Sequence, residues 1–308
     1  MITYYKTIGD RLQHIDNCED HCWVNCIAPD ETETKELMDK YNIPPEFIRA
    51  AFDEEESSHI DTEDGVTLII IDIPIAHRKK DTITYTTAPF SIMITPTNVI
   101  TVSLYENPLI TELSEGAVRG VNTKFKTNFV LLFMLRMSKK YLQYLKMIDK
   151  TTERVQTELR KSMKNEDLIQ LMDAETSLVY FQSSLKADET TLQRIMRGKV
   201  LKLYEEDQDL LDDVLIEIHQ AVDMSSTYLN VLSGRMEAFA SIISNNLNIV
   251  MKVLASLTLI ISIPTVISGI YGMNMGWLPY NENFWFPIIL SVILMAISFV
   301  ILKKKDMI

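Results

Sequence analysis

Apolar residues dominate two stretches near the C-terminal end of the chain. Val253 to Tyr271 is a run of nineteen residues without a charged side chain, and Phe284 to Leu302 is a second run of the same length. A helix rises about 1.5 Å per residue, so each run would extend roughly 28 Å, close to the ~30 Å hydrocarbon core of a bilayer. Only residues 272–283 separate the runs. The pattern therefore predicts two membrane-spanning helices that form a hairpin.

Charged residues around these runs predict the orientation of the hairpin. Lys303, Lys304 and Lys305 follow the second run, whereas the connecting segment contains no Lys or Arg and one acid, Glu282. Lys and Arg are concentrated in the cytoplasmic loops of membrane proteins. We therefore expect both termini in the cytoplasm and the hairpin in the cell membrane, inner or plasma. Residues 1–30 lack the apolar region of a signal peptide.

A heptad pattern precedes the first run and continues into it. Its positions, four and three residues apart, are Leu211, Leu215, Ile218, Val222, Ser225, Leu229, Leu232, Met236, Phe239, Ile243, Asn246, Val250, Val253 and Leu257. This spacing predicts one helix from about Leu203 to Tyr271, packed against copies of itself or against preceding helices. It would be roughly 100 Å long. Such a rod could transmit a change from the cytoplasm to the membrane, but a core seam without a signalling role explains the spacing equally well.

The rest of the chain predicts an α/β domain followed by helices. Alternating and β-branched residues predict a mainly antiparallel sheet, and longer periodic stretches predict helices. The expected domains are a cytoplasmic α/β domain (1–122), a cytoplasmic helical domain and stalk (123–248) and a transmembrane hairpin (249–308). The predicted strands are 23–27, 66–76, 82–95 and 98–104, and the predicted helices are 31–41, 44–52, 125–161 and 166–197.

Charge and motifs narrow the range of functions. Residues 1–248 contain 26 basic and 40 acidic side chains, a net charge of 26 − 40 = −14, whereas residues 249–308 contain 4 basic and 2 acidic ones. An acidic body repels nucleic acid and attracts cations. The sequence contains no G-x-x-x-x-G-K-[ST], G-x-G-x-x-G or H-E-x-x-H motif, so neither a nucleotide partner nor an enzyme is expected.

Three cysteines lie at four-residue intervals, which suggests a metal site. Cys18, Cys22 and Cys26 have His14 and His21 nearby. Four-residue spacing converges only on a helix, whereas Cys26 belongs to a predicted strand, and cytoplasmic thiols stay reduced. Inert thiols are therefore the favoured interpretation, with a thiolate metal site as the alternative.

A short motif at the end of the first apolar run suggests a family. Tyr271-Gly272-Met273-Asn274 follows this run directly. Together with Met251 to Leu254, Asn248, Thr265 and Trp23 to Asn25, it resembles the signature of the CorA family of magnesium channels. The resemblance implies a funnel-shaped homopentamer in the membrane lipid that takes up Mg²⁺, driven by the membrane potential. Without the resemblance, the motif would equally fit a glycine that ends a helix.

The resemblance also implies roles for individual residues. Gly272, Met273 and Asn274 would form a selectivity filter, whose neutral oxygens suit a cation that keeps its water shell. Asn248, Thr265 and Gly269 would line the pore. Met251 and Leu254 would form a hydrophobic gate, although spacing alone favours ordinary helix packing for these two. Ser262 and the single acid in the loop depart from the family pattern, which casts doubt on a second constriction and on cation enrichment at the pore mouth.

Regulation is implied at one acidic position. Asp213 matches a family acid that helps to bind Mg²⁺ between neighbouring cytoplasmic domains, with Asp61, Glu63 and Asp64 as candidate partners. A solvated helix face is the alternative for Asp213. Mg²⁺ would thus be both the transported and the regulatory ion, without an organic cofactor. A ZntB-like Zn²⁺ transporter and a non-conducting sensor or scaffold are the other functions to consider. Preference among Mg²⁺, Co²⁺, Ni²⁺ and Zn²⁺ is left open.

Overall fold

The computed structural model divides the chain into two compact units. It describes residues 1–308 apart from positions 10, 80, 81, 117, 119, 163, 198–200, 202, 274–278, 281, 282 and 308. The first unit is Met1–Ser233 and the second is Gly234–Ile308.

A mixed sheet forms the centre of the first unit. Its strand order is β2-β1-β3-β7-β6-β5-β4 within the described residues. All neighbours are antiparallel except β3 and β7, which pair in parallel from Trp23 opposite Val99 to Ile27 opposite Ser103. The prediction of a mainly antiparallel sheet is confirmed. The strands are β1 (Ile2–Ile8), β2 (Arg11–Ile15), β3 (Trp23–Ile27), β4 (His59–Glu63), β5 (Val66–Lys79), β6 (Thr82–Ile94) and β7 (Val99–Ser103).

The helices of the described residues agree closely with the predicted ones. The first begins at a capping box, in which Asp30 Oδ1 accepts the Glu33 N–H at 2.8 Å and Glu33 Oε2 accepts the Asp30 N–H at 3.1 Å. These contacts satisfy N–H groups that a helix start leaves unpaired. The helices are α1 (Glu31–Tyr41), α2 (Pro45–Phe52), α3 (Pro108–Ser114), α4 (Lys126–Ser162), α5 (Asn165–Met196), α6 (Glu205–Tyr271) and α7 (Trp285–Lys304).

Helices cover both faces of the sheet. On one face, Leu37 of α1 and Phe47 of α2 share a core cluster with Ile70 and Ile100 of the sheet. On the other face, the Phe90 ring of β6 stacks on Phe133 of α4, with centroids 4.6 Å apart. Successive side chains of a strand point to opposite faces, which is why the central strands β3 and β7 are buried on both sides. The first unit is therefore an α/β domain whose sheet is buried at its centre and exposed at its edge strands β2 and β4.

The N-terminal part of α6 packs against α5 within the first unit. His219 Nδ1 lies 3.0 Å from Glu189 Oε1, and the Ser233 hydroxyl donates to Glu175. The buried positions of this part are Asp207, Leu211, Val214, Ile218, Ala221, Ser225 and Leu232. The predicted seam was right at Leu211, Ile218, Ser225 and Leu232. It was one residue late at Leu215 and Val222, which are only partly buried, as is Leu229.

Candidate ion-conduction site

The second unit contains two apolar helices that run in opposite directions. At one end, the Ser256 hydroxyl of α6 donates to the Met307 carbonyl oxygen at 3.1 Å. At the other end, the rings of Tyr271 and Phe286 lie 6.1 Å apart, and the Tyr271 hydroxyl donates to the Pro279 carbonyl at 3.3 Å. The C-terminal part of α6 and α7 therefore form a helical hairpin.

The surface of this hairpin is apolar. By length and composition, both α6 and α7 are long and apolar enough to cross a membrane. Only 11% of the most apolar 18-residue stretch of each helix is buried. Apolar surface exposed to water costs about 25 cal/mol per Å², and soluble proteins rarely expose patches of this extent. A lipid or protein environment is therefore needed around the second unit.

The candidate pore residues lie on one side of α6. Asn248, Met251, Leu254, Thr265 and Gly269 are all exposed. With 3.6 residues per turn, successive residues are about 100° apart, so these five fall within an arc of roughly 120°.

The buried side of α6 faces another direction. Ser256 and Ile267 are 1% and 7% exposed. They lie about 150° around the helix from the middle of the candidate arc, by the same rotation per residue. The polar and apolar candidates thus share one face, which points away from the α7 contact and is open to other chains or to an axis.

The end of α6 shows why residue 272 is a glycine. The Gly272 N–H bonds to the Ser268 carbonyl at 2.9 Å, and the Met273 N–H bonds to the Ile270 carbonyl at 3.3 Å. A Cβ at position 272 would lie only 3.0 Å from the Ser268 oxygen. The described glycines with positive φ are Gly9, Gly65, Gly116 and Gly120. Glycine is therefore favoured at 272 by close backbone approach rather than by a left-handed cap.

The rest of the predicted filter falls outside the described residues. Positions 274–278 and 281–282 are among the undescribed ones. The predictions for Asn274 and for the loop acid Glu282 therefore stay predictions. Gly272 and Met273 are described and exposed at the end of α6.

The structure separates the candidate regulatory acids into two regions of the first unit. Asp213 is exposed on α6. Asp61 and Glu63 lie on β4, and Asp64, with φ 50°, begins the turn after it. Among the described residues of this single chain, no group of three or more His, Cys, Asp or Glu side chains is placed to hold a metal ion. Cys18, Cys22 and Cys26 do not form such a group in the described part of the chain.

One acidic contact was not predicted from the sequence. The Glu63 side chain is hydrogen-bonded to Glu46 of α2, and this bond, together with repulsion between the two carboxylates, raises the Glu63 pKa. The residues are 17 positions apart and belong to a helix and a strand, so no spacing rule would have paired them. Two adjoining carboxylates favour either a shared proton or a bound cation.

The described residues define a class of protein that has an α/β unit followed by one long helix, α6, whose C-terminal part belongs to an apolar helical hairpin. A family model described as "CorA-like Mg2+ transporter protein" matches residues 19–304. The chain therefore belongs to the CorA-like family of transporters, as the motif at residues 271–274 predicted.

Several known proteins and solved structures are similar to this chain over most of its length. A cobalt/magnesium transport protein CorA from Methanocaldococcus jannaschii is 26% identical over 290 residues, covering 92% of this chain and 90% of the relative. The complete structure of the CorA magnesium transporter from that organism matches with a TM-score of 0.80 at 24% identity, covering 99% of this chain and 96% of that one. The ZntB cytoplasmic domain from Vibrio parahaemolyticus matches with a TM-score of 0.60 at 11% identity, covering 80% and 97%, which shows a shared fold alone.

Proposed function

We propose that this chain is a divalent cation channel or transporter that takes up Mg²⁺ across the cell membrane as a homopentamer. The observation that carries the proposal is the placement of five exposed residues within one arc of α6, opposite the buried Ser256 and Ile267. The five are Asn248, Met251, Leu254, Thr265 and Gly269. The family description, a Mg²⁺ transporter, supports the choice of ion. Five copies of such a face around an axis would enclose a path lined by both polar and apolar rings.

The filter in this proposal is formed by Gly272, Met273 and Asn274. Mg²⁺ loses its water reluctantly, so a ring of amide and carbonyl oxygens would receive the hydrated ion through its water shell. Neutral oxygens bind more weakly than a carboxylate ring, so the ion can leave again. The close approach of residue 272 to the Ser268 carbonyl supports a tight backbone turn at this point.

The proposed pore narrows at Met251 and Leu254, which are both 55% exposed in the single chain. A narrow ring of these side chains would exclude water and block a hydrated ion. Asn248, Thr265 and Gly269 would provide polar contacts above and below it. The driving force would be the membrane potential, because two charges that cross 100 mV gain about 4.6 kcal/mol.

Topology and domain division belong to the same proposal. Both termini would lie in the cytoplasm, with lysines after α7 favouring that side. The proposed cytoplasmic parts are residues 1–122 and 123–248, and the proposed membrane part is 249–308. Lipid would cover the apolar surface of α7.

Regulation in this proposal depends on Mg²⁺ bound between subunits. Asp213 of one subunit would face Asp61, Glu63 or Asp64 of a neighbour, and the Glu46 carboxylate beside Glu63 would add to the negative charge. Facing carboxylates repel until a divalent ion bridges them. High internal Mg²⁺ would therefore favour the closed form, and depletion would release it.

A flux measurement tests the proposal. The purified full chain is reconstituted into liposomes that contain a Mg²⁺-sensitive dye, and an inside-negative potential is imposed. We expect uptake that is blocked by hexaamminecobalt(III), which resembles hydrated Mg²⁺. Asn274→Ala should abolish this uptake without loss of assembly, whereas Asn165→Ala, an exposed asparagine of α5, should transport like the unmodified protein.

The same assay separates the alternatives. Flux no higher than in empty liposomes would indicate a non-conducting sensor or scaffold. Zn²⁺ uptake that Mg²⁺ does not compete with would indicate a zinc transporter. Unchanged flux in the Asn274→Ala variant would remove this residue from the filter.

A further inference from the structure

Two cysteine sulfurs meet in the segment between β2 and β3. Cys18 Sγ and Cys22 Sγ lie 3.0 Å apart, and both residues are free thiols. Cys18 is partly exposed, whereas Cys22 is fully buried in the core beneath α1 and α2. A disulfide has an S–S distance of about 2.05 Å, so the two sulfurs need to approach by roughly 1 Å to form one.

Two hydrogen-bond donors hold the sulfurs in this arrangement. The Tyr41 hydroxyl at the end of α1 donates to Cys18 Sγ at 2.9 Å. The Asn98 amide, which is buried beside the start of β7, donates to Cys18 Sγ at 3.2 Å and to Cys22 Sγ at 3.0 Å. Because Asn98 contacts both sulfurs, it fixes them side by side. The pair is therefore positioned by α1 and by the turn before β7, not by local sequence alone.

The two thiols differ in their accessibility to a dissolved reagent. Burial raises the pKa of Cys22 to about 12, so Cys22 is protonated at neutral pH. Thiolates attack disulfides, and the more exposed thiol of a pair meets a dissolved reagent first. Cys18 is therefore the sulfur that reacts with an external reagent, and Cys22 is the sulfur that reacts afterwards.

We propose that Cys18 and Cys22 are a reversible oxidation site that forms an intrachain disulfide with small-molecule disulfides such as oxidised glutathione. The Cys18 thiolate attacks one sulfur of the reagent, which forms a mixed disulfide and releases one glutathione thiolate. The Cys22 sulfur then attacks Cys18 Sγ, forms the Cys18–Cys22 bond and releases the second glutathione, which takes up the Cys22 proton. Two protein thiols are oxidised and one glutathione disulfide is reduced.

The third cysteine provides an internal control. Cys26 on β3 is fully buried, and burial raises its pKa to about 12. It lies on a strand whose register places it opposite Ile2 on one side and Val102 on the other. Cys26 should therefore keep its thiol when the other two are oxidised.

The experiment oxidises the full chain in detergent with oxidised glutathione and counts its thiols after denaturation. We expect the protein to lose two of its three thiols, to carry no glutathione, and to regain all three thiols with dithiothreitol. Peptide mapping without reduction should link Cys18 to Cys22. The Cys26→Ala variant should lose both of its thiols in the same way.

Single variants test the order of the steps. Cys22→Ser should stop at a stable mixed disulfide on Cys18, because the second sulfur is absent, and Cys18→Ser should keep its thiols under the same conditions. Peptide mapping of the unmodified protein remains decisive if either variant fails to fold. A mixed disulfide that persists on Cys18 in the unmodified protein, or a link that involves Cys26, would overturn the proposal.

Discussion

A buried carboxyl of the first unit gives a sharp prediction about stability and pH. Asp188 of α5 is 0% exposed. Its Oδ1 accepts hydrogen bonds from the Ser58 hydroxyl at 2.6 Å and from the Asp72 N–H at 2.9 Å. Its Oδ2 is buried without a hydrogen-bond partner among the described residues. Burial, and then the Asp72 carboxylate, raise the pKa of Asp188 well above its usual value.

The sign of the pH dependence follows from this shift. Because the folded state binds the proton more tightly than the unfolded state, the contribution to stability is fully present below the unfolded pKa of about 3.9 and is lost as the pH rises through the folded pKa. One proton corresponds to a slope of at most about 1.4 kcal/mol per pH unit. For a unit of this size the slope equals roughly 3–6 °C in Tm per pH unit.

The test variant is Asp188→Asn, because the asparagine side chain has nearly the same shape as aspartate and carries no charge. Asparagine keeps an oxygen for the Ser58 and Asp72 donors and places an NH₂ group where Oδ2 has no partner. Asp188→Ala would instead leave both donors unsatisfied, at about 1–3 kcal/mol each. We therefore expect the asparagine variant to fold at neutral pH and the alanine variant to be strongly destabilised.

Thermal unfolding of the full chain in detergent between pH 5 and about pH 8 measures the effect. We expect the difference in Tm, taken as unmodified protein minus Asp188→Asn, to become smaller as the pH rises. Asp209→Asn, at an exposed position of α6, should give a constant difference. If the curves of Tm against pH run parallel for the unmodified protein and Asp188→Asn, Asp188 is ionised in the folded protein and the reasoning is refuted.

Two further predictions concern α6. Glu189 and Asp223 raise the pKa of His219. The contribution of His219 to stability is therefore present below its unfolded pKa and is lost as the pH rises through its folded pKa. His219→Gln should lower the Tm near pH 6 more than near pH 8, and an equal loss at both pH values would contradict this charge effect. Asp213→Ala should raise flux at millimolar internal Mg²⁺, whereas Asp212→Ala should not; inhibition like that of the unmodified protein would remove Asp213 from regulation.

Elements with a strong repeating pattern could be predicted from the sequence. The predicted bounds of helices α4 to α6 and strands β5 to β7 lie within a few residues of the observed ones. Their apolar positions recur over many helical turns or over long alternating runs, which makes the pattern easy to recognise. Strand β4 was missed because its sequence, HIDTE, is mostly polar and it is held by pairing with β5, from His59 opposite Ile70. Strand β2, RLQHI, is also mostly polar. Strand β1, ITYYKTI, was overlooked although its β-branched and aromatic residues are typical of a strand. Helix α3 has only seven residues.

Functional residues and contacts divide in a similar way, into those that helical spacing brings together and those that depend on tertiary packing. The family resemblance grouped Asn248, Met251 and Leu254, and their three-residue spacing places them on one face of any helix. Their pore-lining role stays a prediction. The Asp72–Asp188 contact joins residues 116 positions apart and depends on how α5 packs against β5. The Cys18–Cys22 contact needed the positions of Tyr41 and Asn98, which spacing does not reveal.

The hairpin of the second unit is fastened at both ends, by Ser256 to Met307 and by Tyr271 beside Phe286. Sliding one helix past the other by a single turn, about 5.4 Å, would break the first of these contacts and separate the second. A displacement of α6 along its axis that keeps both contacts would therefore move α7 and its terminal lysines by the same amount. In the proposed pore, α6 and α7 of each subunit would then move as one piece when the opening changes width.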